Sequence, residues 1–300
     1  KPDLLLLDVL MPGEDGFSFC QRVKNEYKEL FLPVILITAL NDRESKLKGL
    51  ESGADDFLSK PVDRIELSIK VRNMLKVRQL QHNIYQELVL AQKVQQCLFF
   101  ANNGLGPRDK MYYKPCRRIG GDLIEVWERD GVRWAFLADA SGHGPSAALI
   151  AAAVKAFINK ECPDPARFLE HLNQKLFMLL AGGDTGFYVT AVCFALKNST
   201  VTFAGAGHPP VLLKNQGEVK KLESQGIPLG ILPQQQFTVQ QLPLTSQDYL
   251  FLYSDGLLDV LSEAQLEQAA KALGGDELYQ YLLTRLQDAN PSDDISFLII

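Results

Sequence analysis

The chain has 300 residues, 46% of them hydrophobic and 22% charged, with a formal net charge of −5. Length and balance suit roughly two globular domains with real apolar cores, and the acidic net charge argues against a dominant nucleic-acid surface. No apolar run is long enough to span a bilayer and no signal-peptide pattern opens the sequence, which points away from a membrane. The five cysteines (Cys20, Cys97, Cys116, Cys162, Cys193) show no paired spacing, as expected of free thiols in a reducing cytoplasm. The four histidines are scattered too, which speaks against a His/Cys zinc site.

In the first segment, residues 1–76, Lys1-Pro2-Asp3 runs directly into Leu4-Leu5-Leu6-Leu7, a continuous apolar strand of the kind buried in a parallel sheet. A chain rarely begins one strand inside a domain, so part of this domain is expected to be missing from the sequence. Apolar strands at Leu4 to Leu7, Pro33 to Ile37 and Asp56 to Leu58 alternate with helical patterns, which predicts a parallel α/β sheet. The strands lead into Asp8, Thr38 and, just beyond the third, Lys60. In open α/β sheets the crevice outside those ends binds ligands. An Asp, a Thr and a Lys converging there form a phosphate-handling set, with the Asp as acceptor and the other two on the phosphoryl oxygens.

Between Val62 and Ala101 glycine and proline vanish, and the connector at 77–104 reads as helix. Val77, Leu80, Ile84, Ala91, Val94 and Leu98 fall on alternating three- and four-residue steps, a heptad seam interrupted by Glu87 with Leu88 beside it. This pattern fits a parallel two-helix coil joining two copies of the chain, and equally a single amphipathic helix lying on its own domain.

Residues 105–300 carry short strands at Met111 to Pro115, Trp134 to Ala138, Tyr188 to Ala195, Thr200 to Ala204, Tyr249 to Tyr253 and Ile295 to Ile300. Two helical pairs interrupt them, Ser146 to Asn159 with Pro165 to Leu180, and Glu263 to Leu273 with Asp276 to Gln287. The grouping predicts an α+β domain of two sheets covered by helices. Four acidic loops stand out: Asp122 after Gly120-Gly121, Asp139 after its strand, Asp255 after Ser254, and Asp293-Asp294 before the last strand. Carboxylates placed at one end of a sheet repel unless protons or divalent cations lie between them. Oxygen-only ligands point to magnesium or manganese.

Two resemblances follow from these motifs. Asp8 with Met11-Pro12 and Gly16, then Thr38-Ala39, Gly53-Ala54-Asp55-Asp56-Phe57 and Lys60-Pro61 resemble a response-regulator receiver domain. The resemblance implies a partial flavodoxin-like fold, Asp8 as phosphoacceptor, Thr38 as switch residue, Lys60 as phosphate contact and a cis peptide before Pro61. It further implies a histidine kinase as partner and magnesium in the intact receiver, whose usual acidic pair is absent here.

The second resemblance rests on Gly120-Gly121-Asp122, Ala138-Asp139-Ala140-Ser141-Gly142-His143-Gly144, Ala206-Gly207-His208-Pro209-Pro210, Pro228-Leu229-Gly230, Tyr253-Ser254-Asp255-Gly256-Leu257 and Asp293-Asp294-Ile295. Together these resemble the metal-dependent protein phosphatases (PPM superfamily) of the SpoIIE/RsbU-like branch, which implies an α-β-β-α sandwich. Carried over, Asp139 bridges two metals, the Ala140 carbonyl binds one, Asp255 and Asp293 complete the second, and Asp122 acts through water or a further metal. The implied activity is hydrolysis of phosphoserine or phosphothreonine, with a phosphorylated STAS-type anti-sigma-factor antagonist as substrate class. The competing expectation is an inactive adaptor that binds a sigma factor or its regulators. Arg117 and Arg118 could contact the substrate phosphate, although surface solvation is the stronger reading of each. His143 could protonate the leaving serine oxygen, although a structural hydrogen bond in the tight loop serves at least as well, and His208 reads as structural. Leu123-Ile124-Glu125 departs from the family pattern, leaving Glu125 as a stand-in Asp or a solvated residue.

Overall fold

The apolar runs of the first segment form strands β1 (Leu5–Asp8), β2 (Val34–Thr38) and β3 (Asp56–Ser59), paired in parallel in that order. The computed structural model describes residues 2–27, 31–39, 48–49, 51–100, 104–180, 186–215, 217–245 and 248–300, in two units, Lys1–Leu90 and Ala91–Ile300. Helix α1 (Gly16–Glu26) starts at Asp15, whose carboxylate accepts from the Ser18 amide at 2.9 Å and so satisfies one of the helix's unpaired N–H groups. The helix buries Cys20 and Val23, and Cys20 joins Leu7, Val9, Val34 and Leu36 in one cluster. β1 lies at the edge of this sheet with Leu6 facing solvent.

The helix-forming stretch is a single helix α2 (Arg64–Phe100) of 37 residues. It starts well before the expected connector, and residues 101–103 of that connector lie outside the described residues. Among the described residues α2 buries only Gln95 and Phe99. The seam residues Val77, Leu80, Ile84, Val94 and Leu98 are all exposed, Ile84 by 58% and Val94 by 59%.

Among the described residues of the second unit ten strands make two five-stranded sheets, antiparallel in all their strand pairs. The first has the order β11-β8-β7-β6-β5, from β5 (Asp122–Arg129), β6 (Val132–Ala140), β7 (Val189–Lys197), β8 (Thr200–Ala206) and β11 (Gln240–Pro243). The second has the order β10-β9-β12-β13-β4, from β4 (Lys110–Lys114), β9 (Val211–Asn215), β10 (Glu218–Leu222), β12 (Tyr249–Tyr253) and β13 (Ile295–Ile299).

Period-two alternation decides the layers. Along β6, Trp134, Phe136 and Ala138 pack with helices α3 (Pro145–Phe157) and α4 (Pro165–Leu180), whereas Ala135 and Leu137 meet Leu213, Leu250, Leu252 and Leu298 of the opposite sheet. The second sheet's outer face, with Phe251, Tyr253 and Phe297, is covered by α5 (Glu263–Ala272) and α6 (Gly275–Leu286). The result is the expected α-β-β-α sandwich. Trp127 and Trp134, partners across β5 and β6, stack at 5.5 Å against Phe168, and each such side chain contributes roughly 1.5–3 kcal/mol by leaving water.

Candidate active site

β5 and β6 are paired so that Asp122 stands directly opposite Asp139. Both lie on the face of their sheet that looks toward the other sheet, because Ile124 and Leu137, two residues along each strand, belong to the core between the sheets. On that other sheet, Asp255 follows β12 and Asp293 precedes β13, its antiparallel neighbour. The structure therefore brings the four expected carboxylates to one end of the sandwich, two from each sheet.

Their electrostatics are those of crowded, dehydrated charge. Asp122 is 1% exposed, and neither of its carboxylate oxygens has a hydrogen-bond partner of good geometry among the described residues. Burial, and then the charges of Asp139 and Asp294, push its pKa well above the usual carboxylate range, while the nearby Ser254 and Ser296 hydroxyls only soften the shift. Asp139 is pushed up to about 7 by burial and by Asp255 and Asp293. Asp255 is raised by burial and by Asp293. A buried carboxylate with no well-formed hydrogen bond among the described residues, facing a second carboxylate, is poorly compensated by the protein itself. The donor set is oxygen-rich, so these residues fit a hard divalent cation.

Each carboxylate sits on a braced loop. Ser141 donates its amide to the Tyr188 carbonyl at 2.9 Å, and Tyr188 returns its amide to Ser141 Oγ at 3.0 Å, which pins the turn after Asp139. The Ala140 amide donates to the Gly121 carbonyl at 3.3 Å, tying that turn to the one before Asp122. Asp259 accepts from the amide and hydroxyl of Ser292 at 2.9 and 2.6 Å, steadying the approach to Asp293. A Cβ on Gly256 would lie 2.1 Å from the Asp294 carbonyl oxygen, so the turn holding Asp255 fits against Asp293-Asp294 only with glycine.

Asp294, part of the acidic pair, has a different task. Its carboxylate accepts from the amides of Cys116 at 2.8 Å and Gly121 at 2.6 Å. The sequence carried no signal for this, because a backbone amide 173 residues away leaves no motif. Cys116 was also missed as a neighbour: its sulfur and carboxylate oxygens of Asp293 and Asp294 lie within 4.8 Å of one another. Glu125 is neither solvated nor a stand-in at the cluster. It points to the helix side of β5, is 2% exposed, and pairs with Lys155 of α3. Alternation with Leu123 and Trp127 was the signal that could have placed it there. His208 is buried, with burial pushing its pKa down to about 4 and Nδ1 lying 3.2 Å from the Pro209 carbonyl oxygen, as suits a neutral structural imidazole. His143 and Arg117 are exposed, and the Arg117 stem runs beside Gly144.

In the first unit Asp8, Thr38 and Lys60 gather at the strand ends. Lys60 Nζ donates to the Asp8 carboxylate, and that hydrogen bond is the largest cause holding the Asp8 pKa below its ordinary value. The Lys60 amide donates to the Thr38 carbonyl at 2.8 Å, and the Lys60-Pro61 peptide is cis.

Residues 129–300 match the family described as Stage II sporulation protein E (SpoIIE), which is more than half of the chain. The chain belongs to the SpoIIE family. Residues 1–72 match the response regulator receiver domain, so the SpoIIE phosphatase-type domain follows a receiver. The receiver part is 48% identical over 77 residues to the response regulator PleD of Caulobacter vibrioides, spanning 26% of this chain and 17% of PleD. The chain thus spans less than a fifth of that relative's length. Among solved structures, the SiaA-PP2C domain of Pseudomonas aeruginosa matches with a TM-score of 0.64 at 20% identity, covering 74% of this chain and 98% of that domain. RsbX in complex with magnesium matches with a TM-score of 0.53 at 17% identity, covering 64% of this chain and 92% of RsbX. The SpoIIE part of the chain therefore has the PP2C-type phosphatase fold.

Proposed function

We propose that this protein is a response regulator whose output is hydrolysis of phosphoserine or phosphothreonine in a protein substrate, dependent on magnesium or manganese. The observation that carries the reading is the buried, unpartnered Asp122 carboxylate facing Asp139, with Asp255 and Asp293 beside them. Asp139, Asp255, Asp293, the Ala140 carbonyl and Asp122 would hold the cations. Bound there, divalent cations supply Lewis-acid neutralisation of the phosphoryl oxygens and lower the pKa of the attacking water. The chain's own residues do the rest. The braced turns fix the carboxylates in advance, so little reorganisation accompanies reaction. Exposed Arg117 beside the Gly144 turn can grip the substrate phosphate, and the exposed His143 imidazole can hand a proton to the departing serine or threonine oxygen.

The substrate class is a phosphorylated STAS-type anti-sigma-factor antagonist, a reading supported by membership of the SpoIIE family. The receiver takes its phosphoryl group at Asp8 from a histidine kinase, with Lys60 already on that carboxylate and Thr38 at the neighbouring strand end. A second copy of the chain covers the exposed seam of α2 and makes a dimer. The reaction belongs in the cytoplasm, in keeping with five free cysteines. Among the described residues no helix is long and apolar enough to cross a membrane.

The test is an assay of the purified chain with manganese on a phosphoserine protein, beside Asp139→Asn. The expected result is manganese-dependent release of phosphate that the variant abolishes, since a neutral amide cannot replace the charge that holds a divalent ion. Activity in Asp139→Asn within a few-fold of wild type would sink the assignment. An inactive wild type that still binds a STAS protein would favour the adaptor.

A further inference from the structure

Gln95 is one of two buried residues of α2, and the other, Phe99, is plain apolar core. A primary amide is costly to bury unless its hydrogen bonds are met inside the protein. Gln95 meets them at one residue. Its Nε2 donates to the Gly120 carbonyl at 2.7 Å, and its Oε1 accepts the Gly120 amide at 3.3 Å. The side chain therefore does for Gly120 what a neighbouring strand would do, just ahead of β5, which is an edge strand of its sheet. The Tyr113 hydroxyl lies 3.5 Å from the same Oε1. All these groups belong to the second unit.

Gly120 is closely enclosed at its α-carbon as well. A Cβ there would stand 2.3 Å from Asp294 Oδ2 and 2.7 Å from the Tyr113 oxygen, so only glycine lets the clamp form. The next amide, Gly121, is fixed by Asp294, and the residue after that is Asp122. Gln95 and Asp294 thus grip consecutive residues, Gly120 and Gly121, of the turn that aims Asp122 at Asp139.

We infer that Gln95 is a positioning residue for the candidate metal site, setting its cation affinity by holding Gly120 and hence Asp122 in register with Asp139. The inference rests on the metal-dependent reading above and adds to it that the connector helix, through one amide, is part of the metal site's support. Outer supports of metal ligands typically change affinity about 10–100-fold when removed.

The experiment measures manganese binding to the full chain by electron paramagnetic resonance of free manganese, for wild type, Gln95→Leu and the isosteric Gln95→Glu. Phosphatase rate is followed against manganese concentration in parallel. Both variants are expected to weaken manganese binding about ten-fold or more, with rates that recover to within a few-fold of wild type at saturating metal. An ionised glutamate accepts from the Gly120 amide but cannot donate to its carbonyl. A purely structural glutamine would lower thermal stability and leave the manganese constant of the folded protein within two-fold of wild type, and that result would overturn the inference. If Gln95→Leu does not fold, Gln95→Glu carries the decision. A wild type that binds no manganese would defeat the metal reading itself, whereas normal wild-type binding with unchanged variants would defeat the role of Gln95 alone.

Discussion

Asp122 and Asp139 are register partners on adjacent antiparallel strands, with their carboxylates on the same face of the sheet. Cross-strand partners have Cβ atoms only about 4.5–5.5 Å apart, and like charges so placed destabilise a sheet. The arrangement is one that a protein tolerates where binding requires it.

The first prediction concerns pH. Asp139 has a folded pKa of about 7, above its ordinary value near 3.8, so the folded state holds a proton that the unfolded state has released. Stability from this group is therefore full below the unfolded value and is lost as pH rises through about 7. In metal-free protein, Asp139→Asn should match wild-type thermal stability near pH 3, below the unfolded value, and exceed it near pH 8. Added manganese should raise the melting temperature of wild type at pH 8 and leave the variant unmoved. Scanning calorimetry at the two pH values, with and without manganese, checks this. Equal wild-type and variant melting temperatures at pH 8 without metal would contradict it.

A second prediction separates the two members of the acidic pair. Asp293→Ala should cost activity and leave the fold stable, since among the described residues its carboxylate accepts only from the adjacent Asp294 amide. Asp294→Ala should unpair the amides of Cys116 and Gly121 and cost about 2–4 kcal/mol of stability. Urea titrations of both variants decide. A larger stability loss in Asp293→Ala than in Asp294→Ala would reverse the assignment.

The third concerns assembly. Ile84→Asp places an unpaired charge in the α2 seam and should convert a dimer to a monomer. Light scattering across a concentration series measures it, and a wild type that is already monomeric would remove the seam as an interface.

The strands bearing large apolar runs were legible in the sequence because burial on both faces demands such runs, and Tyr249–Tyr253 was placed to the residue. β9, β10 and β11 were missed: β10 is Glu-Val-Lys-Lys-Leu at a sheet edge, where polar side chains face water and local pattern is weak. β5 was missed because two glycines precede it and Glu125 interrupts its apolar pattern, its charge answered by Lys155, 30 residues on. Asp139, Asp255 and Asp293 were marked by strand ends, and Asp122 by the Gly120-Gly121 loop ahead of a strand the pattern did not reveal. Gln95 and Asp294 could not, since what they do is fixed by backbone groups brought to them only in the folded chain.

The candidate site draws two carboxylates from each sheet, so their mutual repulsion acts across the seam between the sheets as well as within each of them. At that end of the sandwich the negative charge is a wedge. Protons at low pH, or a divalent cation at higher pH, would serve as a clasp that holds the two halves of the fold shut. The same few atoms would then decide both whether chemistry can occur and how firmly the two sheets are closed, and the breathing of that edge would report the charge state of the site.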